Sequence, residues 1–247
     1  MSLLKILVLA VIQGAAELLP VSSSAHVIVA AKLMGLDPTS PEMTLLLVML
    51  HTGTMFAVIF YFWQSWRAGF FASRRVFLDS ARLIVIATAI TGVVGMAIKS
   101  LIERFMSRNV PHAEIELLFG NLGMIAAALA AVGLLIVYAG MRGNRSRETT
   151  RLGLRESSLI GVVQGFCLPF RGFSRSGATI SAGLLLGIDR TRVEEFSFAL
   201  AVVLTPPIVA REVLRLLHAH SMPSSPGGSL CGLFYPSLLG MMLSFIS

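Results

Sequence analysis

Two segments of the chain carry side chains that could bind and react with a phosphate anion. The first runs from Gln13 to His26 and contains a carboxylate, Glu17, and three consecutive serines. The second runs from Gln164 to Thr179 and contains two arginines and several hydroxyls. Such groups are costly to place in lipid, yet both segments lie in apolar surroundings, which usually marks a working site. We therefore interpret the two segments as parts of one site for a phosphate anion.

The first segment has the residue types of a metal site. Gln13 and Glu17 are four residues apart, so on a helix they share one face. A carboxylate and an amide oxygen suit a hard divalent cation such as Mg²⁺ or Ca²⁺, which would take phosphate oxygens as further ligands. The alternative is a polar pair that hydrogen-bonds to a neighbouring helix, and the spacing leaves both interpretations open.

The serines and the histidine of the first segment are candidate reacting groups. A serine beside a histidine offers a nucleophile and a base, or hydroxyls for a phosphate and an acid for its leaving group. His26 could itself accept the phosphoryl group, and the alternative is a histidine that caps the helix beginning there. We predict that Ser23 or His26 is the nucleophile or acid–base group and that Ser22 binds the anion.

The second segment has the residue types that hold an anion. Arg175 can bind a phosphate through two parallel hydrogen bonds. Glycines permit tight turns whose amides point at an anion, and the start of the following helix favours negative charge. The alternative is an arginine that only neutralises Glu17. The predicted anion ligands are Gly172, Ser174, Arg175, Ser176 and Thr179.

The composition places these segments in a membrane protein. The chain has 247 residues, of which 55% are hydrophobic and 13% charged, and its mean hydropathy is +0.80. A soluble domain of this length needs far more charged surface. The net charge of +7 comes from arginine-rich loops rather than a basic stripe with interleaved aromatic residues, so nucleic acid is excluded as a partner.

Two features could be mistaken for processing or metal signals. Residues 1–16 resemble a signal peptide, but cleavage there would separate Gln13 from Glu17, so we expect an uncleaved segment. Cys167 and Cys231 have no partners at metal-ligand spacing, and we interpret them as buried thiols.

The hydropathy pattern predicts an all-α integral membrane protein. A helix needs about 20 apolar residues to cross the bilayer. Shorter apolar arms joined by a tip rich in Gly, Pro and Ser are typical of re-entrant hairpins, and such arms flank both polar segments. The predicted spans are 44–63, 82–99, 117–139, 196–217 and 230–247, and the predicted arms are 3–17, 26–36, 158–168 and 178–188.

The charges between the spans predict the orientation. Loops 64–82 and 141–157 are rich in arginine, whereas loop 99–116 balances basic with acidic residues. The positive-inside rule places the two arginine-rich loops in the cytoplasm and the balanced loop outside.

Constant spacings predict an internal repeat within a single domain, 1–247. Gln13 and Gln164 are 151 residues apart (164 − 13), and Glu42 and Glu195 are 153 apart (195 − 42). The copies are about 1–140 and 158–247. Three spans lie between their two hairpins, so the second copy is inverted and the hairpin tips are expected to meet near the midplane. The second copy is one helix shorter, so we expect either that a final helix is missing or that the repeat is unequal.

The motifs resemble a known family. Gln13-x3-Glu17 followed by Leu19–His26 is similar to the first signature of the bacterial undecaprenyl-diphosphate phosphatases, the bacitracin-resistance family. Gly172–Thr179 is similar to their second signature, and Glu195–Phe198 to a further stretch. Two departures are Arg171, where the family usually has proline, and an end about one helix earlier than usual.

The resemblance implies an enzyme and a location. A family member would hydrolyse undecaprenyl diphosphate to the monophosphate at the outer face of the bacterial inner membrane, with a divalent cation. This recycles the lipid carrier of peptidoglycan synthesis and confers bacitracin resistance. Glu17 and Gln13 would lie near the metal, Ser23 or His26 would react, and Arg175 would bind the diphosphate. The implied partners are a polyprenyl diphosphate lipid and the bilayer, with a homodimer left open.

Two rival functions make different demands on the sequence. The phosphatidic-acid-type phosphatases need a histidine and an aspartate after their Ser-Arg pair, but here those positions are Ser181 and Leu185, which excludes them. A lipid transporter would suit an inverted repeat, and fold alone does not decide function. Catalysis is favoured because the set of a carboxylate, a serine, a histidine and an arginine exceeds what binding needs.

Overall fold

The computed structural model describes residues 2–38, 40–107, 122–143, 151–170, 172–220 and 230–246. Every helix in these ranges is an α-helix, as the sequence predicts. The helices are α1 (Leu3–Glu17), α2 (Ser23–Leu33), α3 (Pro41–Gly69), α4 (Arg74–Ser107), α5 (Leu122–Gly143), α6 (Leu154–Cys167), α7 (Arg175–Leu185), α8 (Arg190–His220) and α9 (Leu230–Ile246).

Four helices of the described part are long and apolar enough to cross a membrane. They confirm four of the five predicted spans and make the chain a multi-pass membrane protein. The fifth predicted span, 230–247, is the shorter helix α9 of 17 residues. The four segments are Met43–Gly69, Arg74–Phe105, Leu122–Arg142 and Arg190–Arg211.

The helices extend further than the apolar stretches indicate, so all three predicted loops were too long: α5 ends at Gly143 and α6 begins at Leu154 within the predicted loop 141–157. Residues 64–69 continue α3, and α4 already begins at Arg74, which leaves residues 70–73 as the connection. Likewise α4 continues to Ser107, through the first half of predicted loop 99–116. Arginine is a good helix former, and its long side chain reaches a polar layer from within a helix. The other parts of the predicted loops, 108–116 and 144–150, lie outside the described residues.

The four short arms are the helices α1, α2, α6 and α7, with 15, 11, 14 and 11 residues. Helix α7 begins at Arg175, three residues earlier than predicted, because Ser174 caps it. The Ser174 hydroxyl accepts a hydrogen bond from the Gly177 amide at 3.1 Å. Such a cap satisfies a backbone donor that the first turn leaves without an intrahelical partner.

The described helices belong to two compact units. Unit 1 comprises Met1–Leu18, Ser23–Phe60 and Ala201–Ser247. In it, α1 packs against α2 and α9. Helix α9 also approaches α3 closely, because the Ser244 hydroxyl donates to the Leu50 carbonyl at 2.9 Å. Lys5 donates from Nζ to the Met34 carbonyl at 2.7 Å, which places a positive charge where the end of α2 exposes carbonyls.

Unit 2 comprises Leu19–Ser22 and Tyr61–Leu200. In it, α4 packs against α6, and α7 packs against both α5 and α6. A side chain at Gly161 would lie 2.6 Å from the Ala87 carbonyl, so only glycine lets α6 approach α4 this closely. The buried apolar residues around this contact are Ala87, Ile160, Ile180, Ile188, Val193, Phe196 and Leu200.

Candidate active site

A carboxylate, a hydroxyl and an imidazole meet in unit 1. Glu17 is the last residue of α1, Ser23 is the first residue of α2, and His51 lies in α3. The Ser23 hydroxyl donates to Glu17 Oε2 at 2.7 Å. His51 Nε2 lies 3.5 Å from Ser23 Oγ and 3.9 Å from Glu17 Oε2. We call these three residues, together with Gln13 and Thr54, the Glu17 cluster.

Gln13 connects the cluster to α3. Its side chain is fully buried, and its amide nitrogen donates to Glu17 Oε2 at 2.7 Å and to Thr54 Oγ1 at 3.2 Å. Its amide oxygen is buried without a hydrogen-bond partner. Gln13 and Glu17 are therefore a polar pair hydrogen-bonded to the neighbouring helix α3, which is the alternative to a metal site that the spacing left open.

The donor set of the cluster limits how a cation could be held. Among the described residues, no three His, Cys, Asp or Glu side chains are grouped as metal ligands. Glu17 fits an ion that keeps several waters and takes phosphate oxygens, as Mg²⁺ does. Gln13 does not fit as a second ligand in this arrangement, because its amide nitrogen rather than its oxygen faces the carboxylate.

The serines at the start of α2 and the histidine within it, His26, differ in exposure. Ser22 and Ser23 are buried, with 5% and 8% of their surface exposed. His26 lies one turn after Ser23 with an exposed side chain. The carboxylate thus has Ser23 as a direct hydrogen-bond partner, and the imidazole of His51 faces the same hydroxyl.

The second predicted segment surrounds the start of α7 in unit 2. Arg175 is the first residue of α7, and both it and Ser176 are half-buried. Ser174 Oγ lies 3.4 Å from Ser176 Oγ. Gly172 has a φ of 101°, a conformation that other residues adopt only with strain. Arg171 lies outside the described residues, so its departure from the family pattern has no structural account.

The tip between α1 and α2 contacts the start of α7. Residues 19–22 belong to unit 2, and a side chain at Gly177 would lie 2.5 Å from the Pro20 carbonyl. It would also lie 3.0 Å from Ser174 Oγ. Glycine is therefore required at position 177 by the close approach of another backbone segment.

Thr179 supports the segment from within the unit. Its side chain is fully buried. Its hydroxyl donates to the Arg175 carbonyl at 2.8 Å and lies 2.6 Å from Ser197 Oγ. These bonds tie the first turn of α7 to α8, which suits a supporting residue better than the anion ligand that the sequence predicted.

Three residues with contacts to the predicted site, His51, Thr54 and Ser197, are not among the predicted site residues. His51 and Thr54 lie in an apolar span, where a polar side chain is itself a signal, but the sequence did not indicate their partners. Ser197 lies within the stretch Glu195–Phe198 that carried the family resemblance. Its partner, Thr179, is 18 residues away.

The chain is similar to known proteins along most of its length. The family model described as bacitracin resistance protein BacA matches residues 6–247. The chain is 55% identical to "Undecaprenyl-diphosphatase 2" of Acinetobacter baylyi, a match that covers 100% of this chain and 86% of the relative. It is 34% identical to "Undecaprenyl-diphosphatase" of Rhodopirellula baltica, with 87% and 74% covered. It is 30% identical to "Undecaprenyl-diphosphatase 1" of Pseudoalteromonas translucida, with 100% and 86% covered.

Proposed function

The chain belongs to the family of the bacitracin resistance protein BacA, and on that premise we propose that it hydrolyses undecaprenyl diphosphate to undecaprenyl phosphate and inorganic phosphate. The names of its relatives support this substrate. The reaction recycles the lipid carrier of peptidoglycan synthesis and confers bacitracin resistance. The single observation that carries the chemistry is the 2.7 Å hydrogen bond from the Ser23 hydroxyl to the Glu17 carboxylate.

We propose Ser23 as the nucleophile. A serine hydroxyl needs a neighbouring base to attack, and Glu17 Oε2 is within hydrogen-bond distance. As a bond forms between Ser23 Oγ and the terminal phosphorus, the hydroxyl proton passes to Glu17. The bond from that phosphorus to the bridging oxygen breaks, and undecaprenyl phosphate leaves. Water then cleaves the phosphoserine, which releases phosphate and restores the serine.

His26 is the second candidate of this helix. It lies one turn after Ser23 and is exposed, so it can reach a substrate that approaches the start of α2. We propose that it acts as an acid–base group on the incoming water or the leaving phosphate. It stays the alternative nucleophile if the serine proves dispensable.

The start of α7 is proposed to bind the diphosphate. Arg175 is half-buried, and a guanidinium binds two phosphate oxygens at once. The amides of the first turn favour a negative charge. The hydroxyls of Ser22, Ser174 and Ser176 and the backbone at Gly172 are the proposed further contacts. Thr179 holds this turn through its bonds to the Arg175 carbonyl and Ser197.

A divalent cation, Mg²⁺ or Ca²⁺, is proposed at Glu17. When bound, it would neutralise charge on the diphosphate oxygens and orient them. Glu17 is the protein ligand that the geometry supports. Gln13 is proposed to hold the carboxylate in place through its amide nitrogen, rather than to bind the ion.

The arms α1, α2, α6 and α7 are proposed to form two re-entrant hairpins of an inverted repeat. With 11 to 15 residues each, they are too short to cross a bilayer of about 30 Å. The contact between the Pro20 carbonyl and Gly177 supports tips that meet. With the arginine-rich connections in the cytoplasm, the site would open to the outer face of the inner membrane. A homodimer stays an open proposal.

The test is phosphate release from undecaprenyl diphosphate by the purified, detergent-solubilised chain, with and without Mg²⁺ or Ca²⁺. Release should depend on the cation and be lost in Glu17→Ala and Arg175→Ala. Matched controls are Glu194→Ala and Arg190→Ala, which remove the same charges from an exposed ion pair of 2.8 Å and should keep activity. A folded wild-type chain without release would favour the lipid-transporter alternative, which a transbilayer assay in liposomes measures.

A further inference from the structure

His51 lies beside the two residues to which the proposed reaction assigns its first step. It is one-third exposed, whereas the Glu17 side chain is 13% exposed. Its Nε2 is 3.5 Å from Ser23 Oγ and 3.9 Å from Glu17 Oε2. His51 Nε2 therefore faces both the Ser23 hydroxyl and the Glu17 carboxylate, which accepts the hydrogen bond of that hydroxyl.

The other ring nitrogen fixes which atom carries the proton. His51 Nδ1 lies 3.1 Å from the Leu47 carbonyl of the preceding turn. A carbonyl oxygen can only accept a hydrogen bond, so Nδ1 carries the proton in this contact. In the neutral ring Nε2 is then left with its lone pair, and Nε2 is the atom that faces Ser23.

The Ser23 hydroxyl has one proton and two acceptors within reach. Glu17 Oε2, at 2.7 Å, accepts the hydrogen bond of the hydroxyl and a second one from the Gln13 amide. His51 Nε2 at 3.5 Å is at the upper limit of a hydrogen bond, and such contacts often tighten when substrate binds. Since the hydroxyl donates to one acceptor at a time, the two acceptors limit its proton to two directions, toward Glu17 Oε2 or toward His51 Nε2.

We propose that His51 is a positioning residue of the reaction; this proposal rests on the proposed function. It holds the Ser23 hydroxyl, together with Glu17, in the orientation from which Oγ attacks the terminal phosphorus. The ring is itself held by Leu47, so the orientation is built into α3 rather than induced by the lipid. His51 therefore acts through Ser23 and affects turnover more than substrate binding.

The first test compares two substitutions of the same residue. His51→Leu removes both ring nitrogens, whereas His51→Gln places a hydrogen-bonding amide near the position of Nε2. We expect His51→Leu to lower kcat about 100-fold, a loss of the size that misplaced reacting groups produce, with KM within about twofold. His51→Gln should recover kcat to within about tenfold of wild type, because one hydrogen-bonding group suffices to orient a hydroxyl.

A matched control lies next to it in the same helix. The Thr52 hydroxyl donates to the Val48 carbonyl of its own helix at 2.8 Å, and the side chain is buried. Thr52→Val should therefore keep the kcat of the wild-type chain. The thermal unfolding midpoint of every variant is measured beside the kinetics, so that a loss of folding is separated from a loss of turnover.

The second test asks whether His51 acts through Ser23. In a Ser23→Ala background there is no hydroxyl to orient, so adding His51→Leu should lower the residual rate by less than about twofold, as expected for residues that act as a unit. A further 100-fold loss in that background would contradict the proposal, since His51 would then act independently of Ser23. Wild-type kcat in His51→Leu, or equal losses in His51→Leu and His51→Gln, would also contradict it.

The same assay separates this inference from the proposed function. If the folded wild-type chain releases no phosphate from undecaprenyl diphosphate, both the proposed function and the role of His51 are wrong. If the wild-type chain releases phosphate and His51→Leu does so at the same rate, only the role of His51 is wrong.

Discussion

The turn after α1 and the turn after α6 have the same layout but different chemistry. Each is preceded by a buried glutamine whose amide nitrogen donates to a threonine hydroxyl at 3.2 Å, Gln13 to Thr54 and Gln164 to Thr91. In both glutamines the amide oxygen is buried without a hydrogen-bond partner. The shared feature is thus a polar anchor between a short arm and a long helix.

The groups that are proposed to react differ between positions that are 151 residues apart. At the offset of 151 residues, Glu17 matches Leu168 (168 − 17) and Ser24 matches Arg175 (175 − 24). Ser23 matches Ser174, but Ser23 donates to a carboxylate, whereas Ser174 accepts from an amide as a helix cap. The comparison teaches that the two turns share the glutamine anchor but not the charged residues, because Glu17 lies at the first turn and Arg175 at the second.

The largest expected effect comes from changing Glu17, the carboxylate at the turn after α1, which has no counterpart at the turn after α6. Glu17→Gln keeps the shape but removes the acceptor of the Ser23 proton, so we expect kcat to fall about 1,000-fold, as losses of a catalytic acid or base do. The measurement is phosphate release from undecaprenyl diphosphate. The matched control is Leu168→Met at the equivalent position, which is 39% exposed and should keep activity. A Glu17→Gln enzyme within tenfold of wild type would remove the carboxylate from the mechanism.

The next effect tests the arginine side chain of the second turn, Arg175. Arg175→Lys keeps the charge but replaces a planar fork by a point charge, so we expect kcat/KM to fall about 100-fold. Arg190→Lys, in an exposed pair with Glu194, is the control and should not change it. Wild-type kinetics from Arg175→Lys would show that charge alone suffices, and two-point binding of the diphosphate would be wrong.

A smaller effect tests the close approach at the start of α7. In Gly177→Ala the added methyl group would lie 2.5 Å from the Pro20 carbonyl, so one backbone segment must move. We expect a loss of about 1–3 kcal/mol in the free energy of unfolding, typical of overpacking, together with lower activity. Gly133→Ala is the control, because nothing lies within 4 Å of its added carbon. Thermal unfolding that Gly177→Ala leaves unchanged would contradict this packing.

The smallest effects separate the two glutamines. Gln13→Leu removes the bond to Glu17, and we expect activity to fall about tenfold, in line with the loss of a hydrogen bond to a charged group. Gln164→Leu should leave activity unchanged and alter the free energy of unfolding by less than about 1 kcal/mol, because it also removes an unsatisfied buried oxygen. Equal losses of activity in the two variants would mean that Gln13 has no special relation to Glu17.

Much of the fold could be predicted from the sequence. The four long spans and the four short arms follow from the length of apolar stretches, and the structure confirms their order. The helix ends were less accurate, as the early start of α4 at Arg74 demonstrates. Apolar stretches report the lipid-facing part of a helix, whereas the hydrogen bonds of its backbone continue through charged residues that reach the polar layer.

The candidate site was predicted in part. The sequence selected Glu17, Ser23 and Arg175 as candidates by residue type and spacing, because charges and hydroxyls in apolar surroundings stand out locally. The structure brings Glu17 and Ser23 into hydrogen-bond contact, and the catalytic roles of all three stay predictions. The sequence did not place His51 among the site residues, and it predicted Thr179 as an anion ligand. Whether a threonine binds a ligand or a neighbouring helix depends on what packs beside it, which no local pattern records.

The sequence by itself determined the helical class, the polar segments and the duplicated glutamines, since each depends on residues that are close together in the chain. Only the tertiary structure decided the partners. Gln13 meets Thr54 across 41 residues, and Ser23 meets His51 across 28. Hydrogen bonds of this kind need atoms within about 3 Å in the right direction. The packing of whole helices sets those distances, and local spacing does not encode it.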